Sequence, residues 1–488
     1  MPSGPGRSPA MPYARRTKIV ATLGPASADG AVLRRMLAAG MDVARLNFSH
    51  ATRAEHGRMI RRLRQIAREE GYPIAILQDL QGPKIRVGRL TRQVDLKERM
   101  EVVLTTRRVV GSGTRIPIIF PRLPRVARRG ARIFILMKDG TIELEVLRVR
   151  PPDLVCRVVR GGTLGEHQGV NLPGLRLGGA ALTPKDIADL RFGLRHGVDF
   201  VALSFVRSAA DLQHARRVMR RLGRSVPLIA KLEKAEAMTN LDAVVGEADG
   251  VMVARGDLGV ELAPEQVPLL QKRIIRAAND RGIPVITATQ MLESMVHQER
   301  PTRAETSDVA NAILDGTDAV MLSAETAAGE YPVEGVQEMA RIAQAVEGGT
   351  KFSGTIRRPL RPSAAHAIAA AAQVLAGDLR VDMIVALTTT GRTACLLSQL
   401  KPQAPILACT EDERVARLLN LYWGVRAVIV PFQPTTEAMI RFLDRELVRR
   451  RLARPGAPIA IVGSVPLIAR GRTNFVQVHR VGRVRAQG

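Results

Sequence analysis

The chain has 488 residues, of which 46% are hydrophobic and 24% are charged, a balance typical of a soluble globular protein. This balance excludes fibrous, collagen-like and disordered classes, and no apolar run reaches the ~18–20 residues of a membrane-spanning helix. The net charge of +27 would suit nucleic acid, but 63 of the 73 basic residues are arginines spread along the chain and aromatics make up only 3%, so the sequence argues against a nucleic-acid partner.

Residues 1–14 lack the apolar stretch of a secretory signal, and we predict that they form a flexible N-terminal tail, with Met1 and Met11 both open as the start. The three cysteines, Cys156, Cys395 and Cys409, are too few and too scattered for a disulfide framework or a Cys-x-x-Cys metal site. A cytoplasmic location is therefore expected.

Eight short apolar segments rich in β-branched residues alternate with amphipathic stretches such as 31–39, 55–69, 209–222 and 268–281. This alternation predicts a (β/α)8 barrel over residues 15–86 and 175–348, with an open doubly wound sheet as the alternative. The predicted strands are 17–23, 41–47, 73–80, 198–205, 226–232, 248–254, 283–288 and 317–323.

Two further regions differ in pattern from the barrel. Residues 87–174 hold short alternating runs separated by turns, which predicts an inserted all-β domain, a small β-barrel that could act as a lid over the active-site face. Residues 349–488 alternate strand-like and helical segments again, which predicts a separate C-terminal α/β domain.

Polar side chains follow six of the eight predicted barrel strands, where barrel enzymes carry their catalytic groups. Glu233 and Asp257 end neighbouring strands, and a pair of carboxylates together with substrate oxygens is how Mg²⁺ (or Mn²⁺) is usually held. Each polar residue alone could be a cap, a turn or a structural ion pair. Their combination at one edge of the barrel favours a catalytic site.

Positive charge and hydroxyl groups accompany the carboxylates. Arg45, Arg86 and Lys231 supply the cations that phosphoryl transfer needs for its equatorial oxygens. The backbone amides around Gly256 could bind a phosphate or a carboxylate, and the hydroxyls of Thr289 and Ser323 could pass a proton.

With these residues in place, the sequence resembles the pyruvate kinase family. The resemblance is long and specific in the barrel, looser in the inserted domain and weakest in the C-terminal domain. The matching stretches are 17–27, 41–50, 171–174, 252–261, 288–295, 300–305 and 307–316.

The resemblance implies transfer of the phosphoryl group of phosphoenolpyruvate to ADP, giving pyruvate and ATP, in the last step of glycolysis. It implies that Arg45 binds phosphoenolpyruvate, that Lys231 stabilises the migrating phosphoryl group and that Glu233 and Asp257 ligate Mg²⁺. The other implied roles are substrate-carboxylate binding by Gly256 and Asp257, a substrate pocket and proton route at Thr289 and Ser323, and nucleotide binding by Asn47, His50, Arg86 and Lys185.

The family often needs K⁺, held at the positions of Asn47, Ser49, Asp79 and Leu80. Leu80 stands where K⁺-dependent members carry Thr, and Lys84 stands where they carry Glu. A tethered ammonium could replace the free cation, so the resemblance implies the K⁺-independent branch. The alternative is that Lys84 is an ordinary solvated cation.

In the C-terminal domain a hydroxyl-rich loop follows a predicted strand, and in the family this region can take a phosphorylated effector. An ordinary turn into a helix is the alternative. The loop residues are Thr388, Thr389, Thr390, Gly391, Arg392 and Thr393.

The resemblance also implies a homotetramer. Two other functions stay open from the sequence alone: a Mg²⁺-dependent barrel lyase or aldolase that acts on a 2-oxo acid, and a non-catalytic basic protein that binds nucleic acid.

Overall fold

The computed structural model describes residues 15–137, 140–175, 178, 181–349, 363–466 and 473–482. The predicted tail 1–14 lies outside the described residues. Within the described ranges, no helix is long and apolar enough to cross a membrane.

The first two helices of the chain begin or end at residues that suit a helix terminus, either by a side-chain hydrogen bond to free backbone amides or by a left-handed conformation. The Asp29 carboxylate accepts hydrogen bonds from the first amides of α1, and Gly40, with φ +115°, ends that helix in the left-handed conformation. Thr52 and Glu55 form a capping box at the start of α2. These elements are β1 (Lys18–Leu23), α1 (Gly30–Ala39), β2 (Val43–Asn47), α2 (Arg53–Glu69) and β3 (Ala75–Asp79).

The inserted domain, called the lid below, is a curled, mostly antiparallel sheet with its own apolar core. Its strands are β4 (Ile85–Arg86), β5 (Val94–Leu96), β6 (Glu101–Thr105), β7 (Arg115–Pro117), β8 (Arg132–Met137), β9 (Gly140–Arg150), β10 (Asp153–Arg160), β11 (Gly162–Leu164) and β12 (Gly169–Asn171), with α3 (Leu123–Val126) between β7 and β8. The main sheet has the order β4-β12-β8-β9-β10-β6-β7, and β11 pairs with β5.

The predicted β-barrel form of the lid is not what the described strands show. The two ends of the main sheet approach each other at a bridge between Val87 and Ile118 rather than along a ladder. The sheet therefore curls without closing, because β4 and β7, with two and three residues, are too short to pair along their length.

The chain then returns to the barrel. The elements are α4 (Pro184–Arg195), β13 (Phe200–Leu203), α5 (Ala209–Arg221), β14 (Leu228–Leu232), α6 (Ala235–Thr239), α7 (Leu241–Glu247), β15 (Gly250–Ala254), α8 (Arg255–Glu261), α9 (Val267–Arg281), β16 (Val285–Ala288), α10 (Arg303–Leu314), β17 (Ala319–Leu322), α11 (Ala324–Ala327) and α12 (Pro332–Gly349). Short 3-10 turns lie at Pro25–Ser27, Pro264–Gln266 and Glu293–Val296.

Eight parallel strands close into a barrel in the order β1-β17-β16-β15-β14-β13-β3-β2. The predicted (β/α)8 barrel is thereby confirmed, and the open-sheet alternative is wrong. Strand residues facing inward form one buried cluster that includes Val20, Phe200 and Met252, and the outward residues pack under the helices. The predicted domain boundaries stay a prediction.

Four aspartates at the start of alternate strands tie each of those strands to its neighbour. Their carboxylates accept the backbone N–H at the start of the adjacent strand, at 2.8–2.9 Å, so all eight strands are linked in pairs at the barrel floor. The pairs are Asp42 with Ile19, Asp199 with Ile76, Asp249 with Leu228, and Asp318 with Val285.

The C-terminal domain is a five-stranded sheet in the order β20-β19-β18-β21-β22, with β22 antiparallel, as the predicted α/β class requires. Its elements are α13 (Ala364–Asp378), β18 (Met383–Leu387), α14 (Arg392–Gln399), β19 (Ile406–Thr410), α15 (Glu413–Leu419), β20 (Val425–Ile429), α16 (Thr436–Arg449), β21 (Pro458–Gly463) and β22 (Phe475–Arg480).

The C-terminal domain closes the floor of the barrel. Leu421, which is 1% exposed, belongs to the same buried cluster as the inward-facing strand residues, and Leu418 packs against that cluster. The charged rim around this contact includes Arg417 on Asp199 at 2.8 Å and Lys401 on Asp318 at 3.4 Å. The barrel core is therefore completed by a side chain from another domain.

We expect Leu421→Ala to lower the free energy of unfolding by about 2–5 kcal/mol, because it opens a cavity in the barrel interior. Urea unfolding followed by circular dichroism measures the change. Leu379→Ala, at a leucine that is 49% exposed, is the matched control. Equal stability of the two variants would contradict the role of Leu421 in completing the core of the barrel.

Candidate active site

A buried carboxylate holds two cations together at the carboxyl ends of β2, β3 and β14. One oxygen of Asp79 accepts hydrogen bonds from Arg45 at 2.7 and 2.8 Å, and the other lies 3.2 Å from the Nζ of Lys231. Arg45 also donates to the Thr22 hydroxyl at 2.8 Å. Burial raises the pKa of Asp79, but Lys231 and Arg45 outweigh it, so the pKa is lowered and the carboxylate stays ionised.

Lys231 uses its ammonium group fully within this cluster. Its Nζ lies 2.9 Å from Glu233 Oε1 and 2.9 Å from the Ser204 hydroxyl, in addition to Asp79. Burial alone would lower the pKa of Lys231, but the carboxylates of Asp79 and Glu233 dominate and raise it. The paired carboxylates therefore hold the lysine in its charged form.

Glu233 has the properties of a metal ligand. Its Oε2 accepts the Phe205 amide at 2.9 Å, whereas its buried Oε1 lies beside Lys231 in a geometry that makes no aligned hydrogen bond and keeps a free lone pair. Burial and the nearby Asp257 carboxylate raise the pKa of Glu233, while Lys231 lowers it. A divalent cation between Glu233 and Asp257 would remove that repulsion.

Two carboxylates with a free lone pair fit Mg²⁺, which prefers oxygen ligands and usually retains water and substrate oxygens around one or two carboxylates. Within the described residues, no group of three or more metal-ligating side chains is present. This is compatible with Mg²⁺ held partly by substrate, and unlike a closed structural metal site.

Thr289 ends β16 in a strained turn beside the predicted carboxylate-binding amides. Thr289 and Gln290 have φ values of +71° and +54°, and left-handed backbone costs about 1–3 kcal/mol for each non-glycine residue. The Thr289 hydroxyl accepts the Gly256 amide at 2.8 Å and donates to the Ala288 carbonyl at 2.6 Å. The structure thus joins Gly256 and Thr289 directly.

Ser323 lies at the end of β17, the strand next to β16, and its backbone N–H donates to the Glu325 carboxylate at 2.6 Å. Glu325 is buried and also accepts the Leu292 amide at 3.2 Å, and burial raises its pKa. Glu325 therefore connects the end of β17 to the segment that follows the Thr289 turn.

The residues predicted to bind nucleotide lie on the β2 side of the barrel. Asn47 Oδ1 accepts the Ser49 amide at 3.1 Å, which shapes the loop after β2. The pKa of His50 is lowered, first by partial burial and then by Lys84, Arg86 and Arg45, which shows that these cations lie near it. Arg86 donates to the His167 carbonyl of the lid at 2.9 Å.

The ammonium group of Lys185 is already engaged by other protein groups and is not free to bind a phosphate. Its ammonium donates to the Phe48 carbonyl at 2.7 Å and pairs with Asp189 at 2.6 Å, and Arg53 contacts the same carboxylate at 2.6 Å. A nucleotide phosphate would have to draw Lys185 away from Asp189.

Lys84 faces the charged cluster from the β3 side, and its pKa is lowered, first because protein atoms partly remove it from water and second because of Arg86. Asp257 and Glu233 oppose that shift. The residue is nevertheless exposed to solvent. Leu80 is buried, and its backbone carbonyl accepts the Ser204 hydroxyl at 2.7 Å. Its hydrocarbon side chain has no oxygen that could bind a cation.

A cavity of about 210 Å³ lies between the lid and the barrel beside Asp257, and most of its wall is apolar. The barrel contributes Lys84, Phe205 and Lys234 to the wall, and the lid contributes Phe120 and Leu136. Asp257 thus lies at a cleft between the barrel and the lid.

Two functional contacts escaped the sequence analysis. Ser204 contacts Lys231, and Phe205, whose φ is +56°, directs its amide at Glu233. Both residues directly follow β13, so their position at a strand end was the available signal.

The predicted effector loop belongs to the C-terminal domain. It runs from the end of β18 into the first turn of α14. The Thr388 hydroxyl accepts the Gly391 amide at 2.9 Å, and Gly391 has φ +86°. The Thr393 hydroxyl lies 2.8 Å from that of Thr473.

A closed barrel with a buried cationic centre beside two carboxylates, under a lid, is an arrangement suited to phosphoryl transfer. Comparison with known families identifies it further: residues 14–336 match the pyruvate kinase barrel domain, and residues 366–479 match the pyruvate kinase alpha/beta domain. The chain belongs to the pyruvate kinase family.

Individual relatives agree with this family. Pyruvate kinase 2 of Synechocystis sp. is 47% identical over 98% of this chain and 81% of its own length. Pyruvate kinase of Mycobacterium tuberculosis is 45% identical over 96% of this chain and 99% of its own length. The crystal structure of a pyruvate kinase from Cryptosporidium parvum superposes with a TM-score of 0.90 at 34% identity, covering 96% of both chains. The aldolase and nucleic-acid alternatives find no support.

We expect Asp79→Asn to lower the free energy of unfolding by about 3–5 kcal/mol, because two buried cations lose their shared counter-charge. Urea unfolding at neutral pH measures the change. Glu145→Gln, which removes an exposed pair with Arg157, serves as the control and should change stability by less than ~1 kcal/mol. A stability equal to that of the control would show that Asp79 is not the required counter-ion.

Proposed function

We propose that the cluster of Arg45, Asp79, Lys231 and Glu233 is the centre at which the phosphoryl group of phosphoenolpyruvate passes to ADP. The supporting observation is the pairing of two buried cations with two buried carboxylates at 2.7–3.2 Å. This arrangement keeps Arg45 and Lys231 charged in the absence of an anion. An incoming phosphoryl group then meets cations that are already charged and held in place.

Lys231 is the proposed electrostatic stabiliser of the transferring group. Its ammonium donates to the Ser204 hydroxyl and forms ion pairs with Asp79 and Glu233, so a phosphoryl oxygen has to compete with these three partners. Ser204 is neutral and is the least costly to displace. Arg45, with its planar guanidinium, would hold a second phosphoryl oxygen from the β2 side.

Glu233 and Asp257 are the proposed ligands of Mg²⁺. Bound there, the ion would offset negative charge on the phosphoryl group and on the enolate oxygen of pyruvate. The Gly256 amide donates to the Thr289 hydroxyl and lies one residue from Asp257, so one short helix, α8, contributes the proposed carboxylate-binding amides and one of the two proposed metal ligands.

After phosphoryl transfer the enolate carbon must gain one proton to become pyruvate. Thr289 and Ser323 carry hydroxyls at the ends of adjacent strands and are the proposed members of this proton route. On the opposite side, Asn47, His50, Arg86 and Lys185 are the proposed nucleotide contacts. The pair between Lys185 and Asp189 would open on nucleotide binding.

We expect Lys231→Met to lower kcat for pyruvate formation from phosphoenolpyruvate, ADP and Mg²⁺ by at least about 100-fold, because a fixed charge at the transition state is lost. Mn²⁺ binding, followed by water-proton relaxation, should persist because both carboxylates remain. Lys272→Met, at an exposed lysine paired with Asp315, is the control. A variant that keeps a tenth of the wild-type activity would refute the role of Lys231.

We also propose that the enzyme works without K⁺. Lys84 places an ammonium near the Asp257 and Glu233 carboxylates, and Leu80 offers no side-chain oxygen to a free cation. The lid strand β12 covers the stem of Lys84, since a Cβ at Gly169 would lie 3.3 Å from Lys84 Cε. These contacts support the proposal that the tethered ammonium takes the place of a free monovalent cation.

We expect wild-type activity in a buffer whose only monovalent cation is tetramethylammonium, with little gain on adding K⁺. Lys84→Glu should lose about tenfold or more of this activity, because the tethered charge is removed and a carboxylate takes its place. Adding K⁺ should then restore part of the activity. Lys97→Glu, at an exposed lysine of the lid, controls for the change in net charge. A wild-type enzyme that turns over only with K⁺ would contradict the role of Lys84.

Three further properties belong to the proposal. A homotetramer is supported by exposed apolar residues on the barrel and the C-terminal sheet, such as Leu269 at 69% and Val478 at 44% exposure. A phosphorylated effector at the loop 388–393 is supported by its hydroxyls and by Arg392. A cytoplasmic location is supported by the three free thiols.

A further inference from the structure

Arg255 connects the ends of two barrel strands through a single guanidinium group. It is the first residue of α8, directly after β15, and its side chain is 11% exposed. Its Nη2 donates to the Thr289 carbonyl at 2.7 Å and to the Gln290 carbonyl at 3.2 Å. Its Nη1 donates to Asp308 of α10 at 2.7 Å.

The two carbonyls that Arg255 binds belong to the two left-handed residues after β16. Thr289 is β-branched, and this type of residue disfavours a φ of +71°. The turn nevertheless points the Thr289 hydroxyl at the Gly256 amide, at 2.8 Å. An external group that binds both carbonyls can hold the turn in this conformation.

We propose that Arg255 is a positioning residue, which holds the strained Thr289–Gln290 turn so that the Thr289 hydroxyl and the Gly256 amide share one fixed geometry. Arg255 reaches the reacting atoms through these two groups and has no assigned contact with substrate. The inference rests on the proposed function, in which both groups belong to the phosphoenolpyruvate pocket.

The planar shape of the guanidinium group allows Arg255 to fill this role. Its planar fork contacts two carbonyls on one side and a carboxylate on the other at the same time, and Asp308 fixes its orientation. A lysine ammonium is a point charge and cannot span these partners. Arg255→Lys therefore keeps the charge and removes the clamp.

The test compares Arg255→Lys with wild type in steady-state kinetics. The ratio kcat/KM for phosphoenolpyruvate should fall about tenfold or more, since displacement by ~1 Å can cost ~100-fold, while KM for ADP should stay within about twofold. Arg34→Lys, at an exposed arginine of α1 that pairs with Glu69 of α2 on the outside of the barrel, is the control and should resemble wild type.

A second substitution separates positioning from charge. Glycine adopts positive φ without penalty, so Gln290→Gly should relieve the strain that Arg255 opposes. Gln290→Gly alone should act like wild type, and in the Arg255→Lys background it should restore kcat/KM for phosphoenolpyruvate about threefold or more. Circular dichroism and urea unfolding report whether each variant is folded.

The outcomes are distinct. Wild-type kinetics in Arg255→Lys would overturn the inference. A loss of activity that Gln290→Gly does not restore would also overturn it, because the position of the charge and not the turn would then be responsible.

If Arg255→Lys does not fold, Asp308→Asn is tested instead. This variant should lower kcat/KM for phosphoenolpyruvate and retain KM for ADP, and unchanged kinetics would overturn the inference. Failure of the wild-type enzyme to turn over phosphoenolpyruvate would instead refute the proposed function.

Discussion

The site depends on one buried carboxylate, Asp79, which lies between Arg45 and Lys231. An enzyme for a highly charged phosphate ester has to concentrate positive charge inside the barrel, and burial opposes this by favouring neutral groups. Asp79 and Glu233 offset the two cations, so the cluster of four has no formal net charge. The lowered pKa of Asp79 and the raised pKa of Lys231 are two expressions of the same pairing. The two cations can therefore remain charged while buried, until a substrate anion replaces one of their carboxylate or hydroxyl partners.

The geometry of that cluster is fixed from the opposite end of the barrel. The four floor aspartates link the strands in pairs, and the ladders between the strands carry this register to the upper rim, where the cluster lies. Two of these aspartates, Asp199 and Asp318, receive cations from the C-terminal domain, and Leu421 fills the interior between them. The C-terminal domain thus contributes to the structure on which the active site stands, beyond any effector that it binds.

Periodicity predicted the barrel well because each strand is a buried apolar run that stops at a polar residue. The segment 17–23 becomes β1 at Lys18–Leu23, and Glu233 and Asp257 do follow neighbouring strands. Pairing across the barrel could not be predicted, since it depends on strand order and side-chain reach. Asp79 was therefore assigned to a cation pocket without its link to Lys231, and the contact between Lys185 and Asp189 was not foreseen. Alternation likewise predicted the lid strands but not whether their sheet would close.

The lid and the barrel are joined at the residues that set the charge of the cleft. Lys84 immediately precedes β4, and β4 pairs with β12, so the tethered ammonium lies at the root of the lid sheet. Arg86 within β4 is bound to the His167 carbonyl next to β12. A rotation of the lid about this root would move Lys84 and Arg86 with it. A free cation bound only by the barrel would not follow such a motion, whereas the charge of Lys84, in its proposed role as a substitute for that cation, would move with the lid.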